Sequence, residues 1–337
     1  MTEMTVLNGV AIEELLTIPM AVEAVEQAYL EKSKGDAALW PMVFHEFDPG
    51  HADLDIKSGD LGGLGFYGLK VVSWFGANPG KGLPALYGTS LLFDLATGAP
   101  RALLNAGPIT DFRTGAAGAI GAKYLARPDA ETLLMAGTGA LAPYLIAAAL
   151  YLLPQIKTVY VTNPHHPECS AAACEAITPQ VEKLLSGCGG CHAAIAAAPD
   201  LEKAVRHSDV ILTATPAREP FIKAEWVQPG THISCVGADM SGKQEVDSAL
   251  FASAKVFGDD TAQCLSVGEC EAPYKTGVFS GHICEIGGVI SGAEAGRTDA
   301  SDITIFDSTG IALQDIATAA ALLQAAQETG KGQTVTL

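Results

Sequence analysis

A chain of 337 residues is long enough for about two domains of ~150 residues each. At 48% hydrophobic and 17% charged residues it can bury real cores and is too apolar to be disordered. Its net charge of −18, from 38 acidic against 20 basic residues, repels polyanions and argues against nucleic acid as a partner, since no local basic patch offsets it. No apolar run reaches the ~20 residues that span a bilayer, so no membrane partner is expected. The opening MTEMTVLNGVAIEELL lacks the basic stretch and continuous apolar region of a signal peptide, which makes a cytoplasmic location the expectation. On so acidic a chain, an anionic small molecule must be held by a few deliberately placed Lys or Arg residues.

In chain order, residues 21–34 have helical apolar spacing, with Ala21, Val22, Val25, Ala28 and Tyr29 on one side. Short β-like runs follow at Met42 to Phe47, Phe66 to Trp74 and Leu86 to Asp94, separated by Gly, Pro and Asn turns. This part reads as an antiparallel or mixed sheet with helices, an α+β domain. From about residue 120 the pattern changes. Strand-like runs at Thr132–Ala136, Thr158–Thr162, Ala193–Ala197, Val210–Thr213 and His232–Val236 alternate with Ala-rich helical stretches. That alternation predicts an α/β, doubly wound parallel sheet of Rossmann type. Leu313 to Ala326 reads as one more helix and Thr334 to Leu337 as a short terminal strand.

Eight cysteines without a secretory signal read as reduced thiols. Cys188-Gly-Gly-Cys191-His192 matches a c-type haem attachment pattern, or half of a zinc site, but no second CxxC or HxxxH pair exists. A glycine-rich loop before a strand at His192 to Ala197 is the better reading, and no metal is expected.

The segment Thr132-Leu-Leu-Met-Ala-Gly137-Thr138-Gly139-Ala140-Leu141-Ala142-Pro is a strand, a glycine turn and a helix start. It fits the dinucleotide fingerprint G-x-G-x-x-A. Gly137 permits the tight turn, Gly139 lets a pyrophosphate approach the backbone, and Ala142 lets the helix pack on the strand, with phosphates at the positive helix end. Pro143 falls in the first turn, where its missing N–H costs little. The next strand ends at Asn163, where an acid would bind the ribose hydroxyls and favour NAD. Asn163 carries no charge and does not exclude NADP. His165 and His166 could face a 2′-phosphate or be plain solvated loop residues. NAD or NADP therefore stays open.

Several stretches together resemble the ornithine cyclodeaminase/mu-crystallin family, which includes certain alanine dehydrogenases and ketimine reductases. They are Gly68-Leu-Lys70-Val-Val, Gly82-Leu-Pro, Phe112-Arg113-Thr114-Gly-Ala-Ala, Lys123-Tyr-Leu-Ala-Arg127, Gly137-Thr-Gly139, Gly230-Thr-His-Ile, Gly237-Ala-Asp239-Met-Ser-Gly-Lys243-Gln-Glu245 and Ile303-Thr-Ile-Phe-Asp-Ser308-Thr-Gly310. The similarity is collinear over nearly the whole chain. The resemblance implies a homodimer. It also implies a substrate-binding and dimerisation domain from residues 1–118 with 311–337, beside a Rossmann dinucleotide-binding domain from 119–310. Lys70 and Arg113 look like the family's substrate-carboxylate ligands, with Lys70 also counted among the catalytic residues. Arg113 and Thr114 would also adjoin the cofactor phosphates. Asp239 resembles the acid that handles the substrate amine and a water, and Lys243 and Ser308 resemble positions at the nicotinamide end.

The residue chemistry agrees with these roles. An amino-acid carboxylate in a dry site needs a paired cation, and Arg offers a bidentate fork. Lys70, inside the apolar run GLKVVSW, is either that cation or an alternating solvent-facing strand residue. Asp239 follows HISCVGA, at the carboxyl end of a parallel strand where ligands bind, and its plain reading is a cap or turn residue. There are departures from the family pattern. Met42 and Val43 are apolar where a basic residue often follows an early Pro. Asp55 stands near where a second would be sought, and Leu141 replaces a frequent Gln. Lys57 supplies a cation from a shifted position or fits a different substrate tail.

The expected function is an NAD(P)-dependent enzyme acting on the α-carbon of a small L-amino acid through an imine. Release as keto acid and ammonia would resemble alanine dehydrogenase, and internal ring closure would resemble a cyclodeaminase. The alternatives are an imine or ketimine reductase that makes an amino acid, and a catalytically silent nucleotide-binding protein or scaffold.

Overall fold

A computed structural model describes residues 2–188 and 193–337, so Cys191 and His192 of the Cys-Gly-Gly-Cys-His segment lie outside the described residues. The chain divides into two compact units, Met1–Arg113 with Ile311–Leu337, and Thr114–Gly310.

The first unit opens with β1 (Glu3–Leu7) and α1 (Gly9–Leu15), the latter capped by Asn8, whose side chain accepts from the Ala11 amide at 2.9 Å. Next, α2 (Ile18–Lys34) starts three residues before the apolar spacing predicts. Thr17 caps it and Pro19 sits in its first turn, where a prolyl nitrogen leaves nothing unsatisfied. It ends at Gly35, whose φ of 80° is the left-handed helix stop. Six strands follow: β2 (Ala37–Leu39), β3 (Val43–Asp48), β4 (Ala52–Leu61), β5 (Phe66–Phe75), β6 (Leu86–Asp94) and β7 (Pro100–Asn105). The apolar patterns do not predict β4, which carries Asp53, Asp55, Lys57 and Asp60 and still pairs along its whole length with β5. The 20-residue α3 (Ala106–Leu125) crosses the boundary between the units at 113/114.

The second unit alternates strand and helix through β8 (Thr132–Ala136), α4 (Ala142–Leu152), β9 (Thr158–Thr162), α5 (Ser170–Leu185), β10 (Ala194–Ala197), α6 (Leu201–Arg206), β11 (Val210–Thr213) and β12 (His232–Cys235). It finishes with β13 (Lys255–Gly258), α7 (Thr261–Val267), α8 (Glu271–Lys275), β14 (Cys284–Glu285), α9 (Ile286–Ser291) and β15 (Thr304–Asp307). The chain then returns to the first unit as α10 (Ala312–Thr329) and β16 (Gln333–Thr336).

In the first unit the strands lie in the order β16-β1-β7-β6-β5-β4-β2, with β3 also on β4. The sheet is mixed, since β1 and β7 run parallel and the other pairs antiparallel. Helix α10 packs on it, burying Leu313, Ile316 and Ala317. In the second unit the order is β10-β9-β8-β11-β12-β15-β13-β14 and every pair is parallel. The order reverses at β8, and the crevice at such a switch point, beyond the carboxyl ends of the strands, is where open parallel sheets bind ligands. The strands β8, β11, β12 and β15 are buried on both faces, which the apolar runs of β8 and β11 require and which β12 and β15 reach with buried polar residues, His232, Ser234, Thr304 and Asp307, among them. A stripe of Gly115, Gly118 and Gly121 lets α3 lie against this unit. A Cβ on any of the three would come within 2.7 Å of Tyr144, Leu145 or Phe306 respectively.

Candidate functional site

Two clusters carry chemistry, one in each unit. In the first, Lys70 lies in the middle of β5, in register with Lys57 on β4 and Ser90 on β6. It is buried, 3% exposed, so the solvent-facing alternative does not hold. Its ammonium donates to Asp315 Oδ1 at 2.9 Å and to Thr110 Oγ1 at 3.4 Å. Arg113, on α3, is 6% exposed and places Nε 3.4 Å from the same Asp315 oxygen. Its Nη1 donates to Gln314 Oε1 at 2.9 Å, and the Gln314 amide donates to the Tyr29 hydroxyl at 2.7 Å. Burial first, and Arg113 second, push the Lys70 ammonium down to about 8, against the opposing pull of Asp315. Burial alone would raise the Asp315 carboxyl, but Lys70 and Arg113 hold it below the usual carboxylate range. Nearby, burial raises Asp111 to about 6. Lys70 and Arg113 thus share the one carboxylate of Asp315, with Lys57 in register on the neighbouring strand.

In the second unit, β8 runs into the glycine turn. Gly137 has φ 128°, and its amide donates to Thr162 O at 2.9 Å. A Cβ there would stand 2.5 Å from Ala214 O, so only glycine fits. Gly139 is exposed, and a Cβ on it would meet nothing within 4 Å. The start of α4 has Leu141 at its cap and no side chain capping its amides. The Ala142 amide is already bonded to Gly139 O at 3.1 Å and Pro143 has no N–H, so the cradle for a phosphate is the turn before the helix, open at Gly139. Thr114, 6% exposed, has a buried hydroxyl with no hydrogen bond among the described residues. These features fit a dinucleotide pyrophosphate. Thr138 and Asn163 bond to each other, the amide donating to the Thr138 hydroxyl at 3.0 Å. The Asn163 Oδ1 accepts from the His165 and His166 amides, so Asn163 ties the loop after β9 to the glycine turn. His165 packs edge-on to Phe221, and His166 lies 3.3 Å from Glu168.

Asp239 and Lys243 sit in the loop after β12, joined at 2.5 Å, with Asp239 half exposed. Ser308 follows β15, is buried, and bonds back to Cys235 O at 2.9 Å. What fixes the Asp239 loop is Glu245. Its carboxylate accepts from the Thr213 hydroxyl at 2.6 Å, from Thr215 N at 2.7 Å and from Gly237 N at 2.9 Å, bridging the ends of β11 and β12. Behind it, Glu269 accepts the Glu245 and Val246 amides. Burial raises both carboxyls, and it raises Asp307 to about 7. The sequence assigns no role to Gln314, Asp315, Glu269 or Asp307, although Asp307 stands in the quoted Ile303 to Gly310 stretch. The local signals are the polar pair Gln314-Asp315 near the start of an otherwise Ala- and Leu-rich helix and the acid that ends the strand Thr304–Asp307; Glu269, in the turn between α7 and α8, has none.

Fold and site together define a two-unit α/β protein with a dinucleotide-type parallel sheet in one unit and a buried Lys70–Arg113–Asp315 cluster in the other. The chain belongs to the ornithine cyclodeaminase/mu-crystallin family, whose model matches residues 2–330. It is similar to the alanine dehydrogenase of Archaeoglobus fulgidus, 35% identical over 321 residues that cover 94% of this chain and 93% of that protein. A solved archaeal alanine dehydrogenase dimer with bound NAD superposes with a TM-score of 0.86 at 35% identity, covering 99% of both chains. The iminosuccinate reductase of Paracoccus denitrificans in complex with NAD+ gives 0.89 at 31% identity, covering 99% of this chain and all of that one.

Proposed function

We propose that this protein is a nicotinamide-dependent enzyme that oxidises the α-carbon of a small L-amino acid to an imine, with release of ammonia by water attack or by internal ring closure. The observation that carries the reading is the buried Lys70–Arg113 pair, in a chain that also builds an open glycine turn. The bound cofactor supplies a hydride acceptor. Lys70 and Arg113 clamp the substrate carboxylate and fix where the α-carbon stands, and positioning of this kind supplies much of the rate. Lys57, one strand over, sets the charge available to the substrate's tail. Asp239 takes the proton from the substrate nitrogen and orients water, with Lys243 holding its carboxylate in place. Gly137, Thr138, Gly139, Ala140, Leu141 and Thr114 receive the cofactor phosphates, and Lys243 and Ser308 line its nicotinamide end. The substrate and dimerisation part, expected at 1–118 with 311–337, is assigned to the unit Met1–Arg113 with Ile311–Leu337, and the dinucleotide part, expected at 119–310, to Thr114–Gly310.

NAD is the favoured cofactor. Residues 163–170 contain no Lys or Arg, and Glu168 stands beside His166, which is poor company for a 2′-phosphate. The same residues run in reverse would reduce an imine to an amino acid, a second reading that similarity to the iminosuccinate reductase favours. A homodimer is supported by the dimer of the archaeal relative and by the exposed apolar side chains Trp40, Val43, Phe44, Phe47, Leu86 and Tyr87 on one sheet. A cytoplasmic location is supported by the described cysteines, all of which are free. No helix among the described residues is long and apolar enough to cross a membrane.

The test is nicotinamide absorbance with L-amino acids and NAD or NADP, and with imines and each reduced cofactor. Net cofactor change with one substrate establishes the direction and the cofactor. Ammonia release from ornithine or lysine without net change identifies a cyclodeaminase. Silence in both assays, with nucleotide still bound, would leave a binding protein and refute the proposal.

A further inference from the structure

We infer that Asp315 is a positioning residue for the proposed carboxylate clamp: from the first turn of α10 it holds Lys70 and Arg113 together and keeps Lys70 charged, without itself binding substrate. The inference rests on the reading of Lys70 and Arg113 as the clamp. Two buried cations on separate elements, β5 and α3, repel each other, and a lysine so placed sheds its proton. Asp315 answers both at once, 2.9 Å from Lys70 Nζ and 3.4 Å from Arg113 Nε. Its other oxygen, Oδ2, is buried and has no hydrogen bond among the described residues, so the carboxylate is committed to the two cations. The preceding residue completes the arrangement. Gln314, fully buried, takes the Arg113 Nη1 bond and passes its own amide to Tyr29 on α2. One dipeptide therefore sets both the fork and the ammonium, and the helix start favours an anion at that place.

The groups facing Lys70 are Lys57 from β4, Arg113 and Thr110 from α3, and Asp315 from α10. Among these, Asp315 alone adds negative charge. A one-to-one ion pair would give each cation its own carboxylate, whereas here Lys70 and Arg113 share the single oxygen Asp315 Oδ1. A substrate carboxylate supplies the missing anion, and Asp315 keeps the site from collapsing into a neutral lysine before it arrives.

The test compares wild type with Asp315→Asn and Asp315→Glu. Lysine labelled at Cε is followed by NMR across pH, with the Lys70 signal assigned by its absence in Lys70→Arg. In parallel, kcat/KM is measured across pH with the best substrate. In wild type Lys70 should titrate near 8. Asp315→Asn should move that titration, and the alkaline limb of kcat/KM with it, down by about one unit or more. At pH 8 the loss in kcat/KM should be about fivefold or more, rising toward tenfold at higher pH, and fall mainly on KM, while nucleotide affinity is kept. Asp315→Glu should restore most of the shift. If Asp315→Asn does not fold, Asp315→Ser drops the charge and reads the same way. An unmoved Lys70 signal, or a loss even across pH, overturns the inference. A Lys70 signal that moves while the kinetic limb stays put retains the electrostatic hold but refutes the clamp, which separates this failure from that of the proposed function.

Discussion

Gly137 and Gly139 stand two residues apart in one turn, and the structure assigns them opposite consequences. Replacing Gly137 by Ala puts a side chain on a backbone at φ 128°, where L-residues are strained by about 1–3 kcal/mol. The new Cβ would also lie 2.5 Å from Ala214 O and 3.1 Å from Ala214 C, backbone atoms that cannot swing aside. Together these should cost about 3–5 kcal/mol, which for a unit of this size lowers Tm by roughly 10 °C. Gly139→Ala meets nothing within 4 Å and should leave the ligand-free Tm unchanged, or slightly raised through a less mobile unfolded chain. It should instead weaken NAD. The added methyl stands where the pyrophosphate must approach, and losing one bond to a charged group costs about 1.5–3 kcal/mol, or roughly 10–100-fold in Kd. Thermal melts without nucleotide, followed by calorimetric titration with NAD, measure both quantities. Wild-type NAD affinity in Gly139→Ala, or a wild-type melt in Gly137→Ala, would refute the assignment of this turn.

Asp239→Asn should abolish turnover by at least two orders of magnitude while NAD affinity stays within about twofold, because the residue handles a proton and holds no phosphate; full activity would remove its role. Asp307 tests the buried acids. Its carboxyl is raised to about 7 from 3.8, so the stability it contributes is complete below about pH 4 and lost as pH rises through 7. Asp307→Asn keeps an acceptor for the Cys270 amide and has no proton to lose. Its stability, followed by thermal melts, should therefore gain on wild type between about pH 4 and pH 7, at up to about 1.4 kcal/mol per unit, and level off above; a difference that is flat from about pH 4 to 7 would contradict this. Phe44→Glu, among the exposed apolar side chains of β3, should give a monomer in sedimentation at micromolar protein; an intact dimer would place the interface elsewhere.

The parallel sheet was the most legible part of the chain. β8, β9 and β11 lie where continuous apolar runs place them, because a strand buried on both faces can carry little else. The strands that escaped notice had other reasons to form. β4 holds four charged side chains, and its place comes from pairing with β3 and β5 and from the cover of α10, none of which leaves a local pattern. β1 and β7 are short and pair with each other across almost a hundred residues.

The site shows a sharper asymmetry between its cations and its anions. On a chain with 20 basic residues against 38 acidic ones, a lysine inside an apolar run is a rare event and points to itself. The acid that answers it is one among many. Asp315 lies within a run that reads as ordinary amphipathic helix, and only its place beside Gln314 at the start of an Ala- and Leu-rich stretch separates it from a solvated helical carboxylate. Its partners are 245 positions away at Lys70 and 202 at Arg113, and only the docking of α10 on β5 brings them together. Glu245 is the same case in the other unit, an acid quoted for its place in a motif whose work, joining β11 to β12 beneath the Asp239 loop, is visible only in its bonds. In a protein of this charge, composition identifies the groups that bind an anion, and contact geometry identifies the groups that keep them ready to do so.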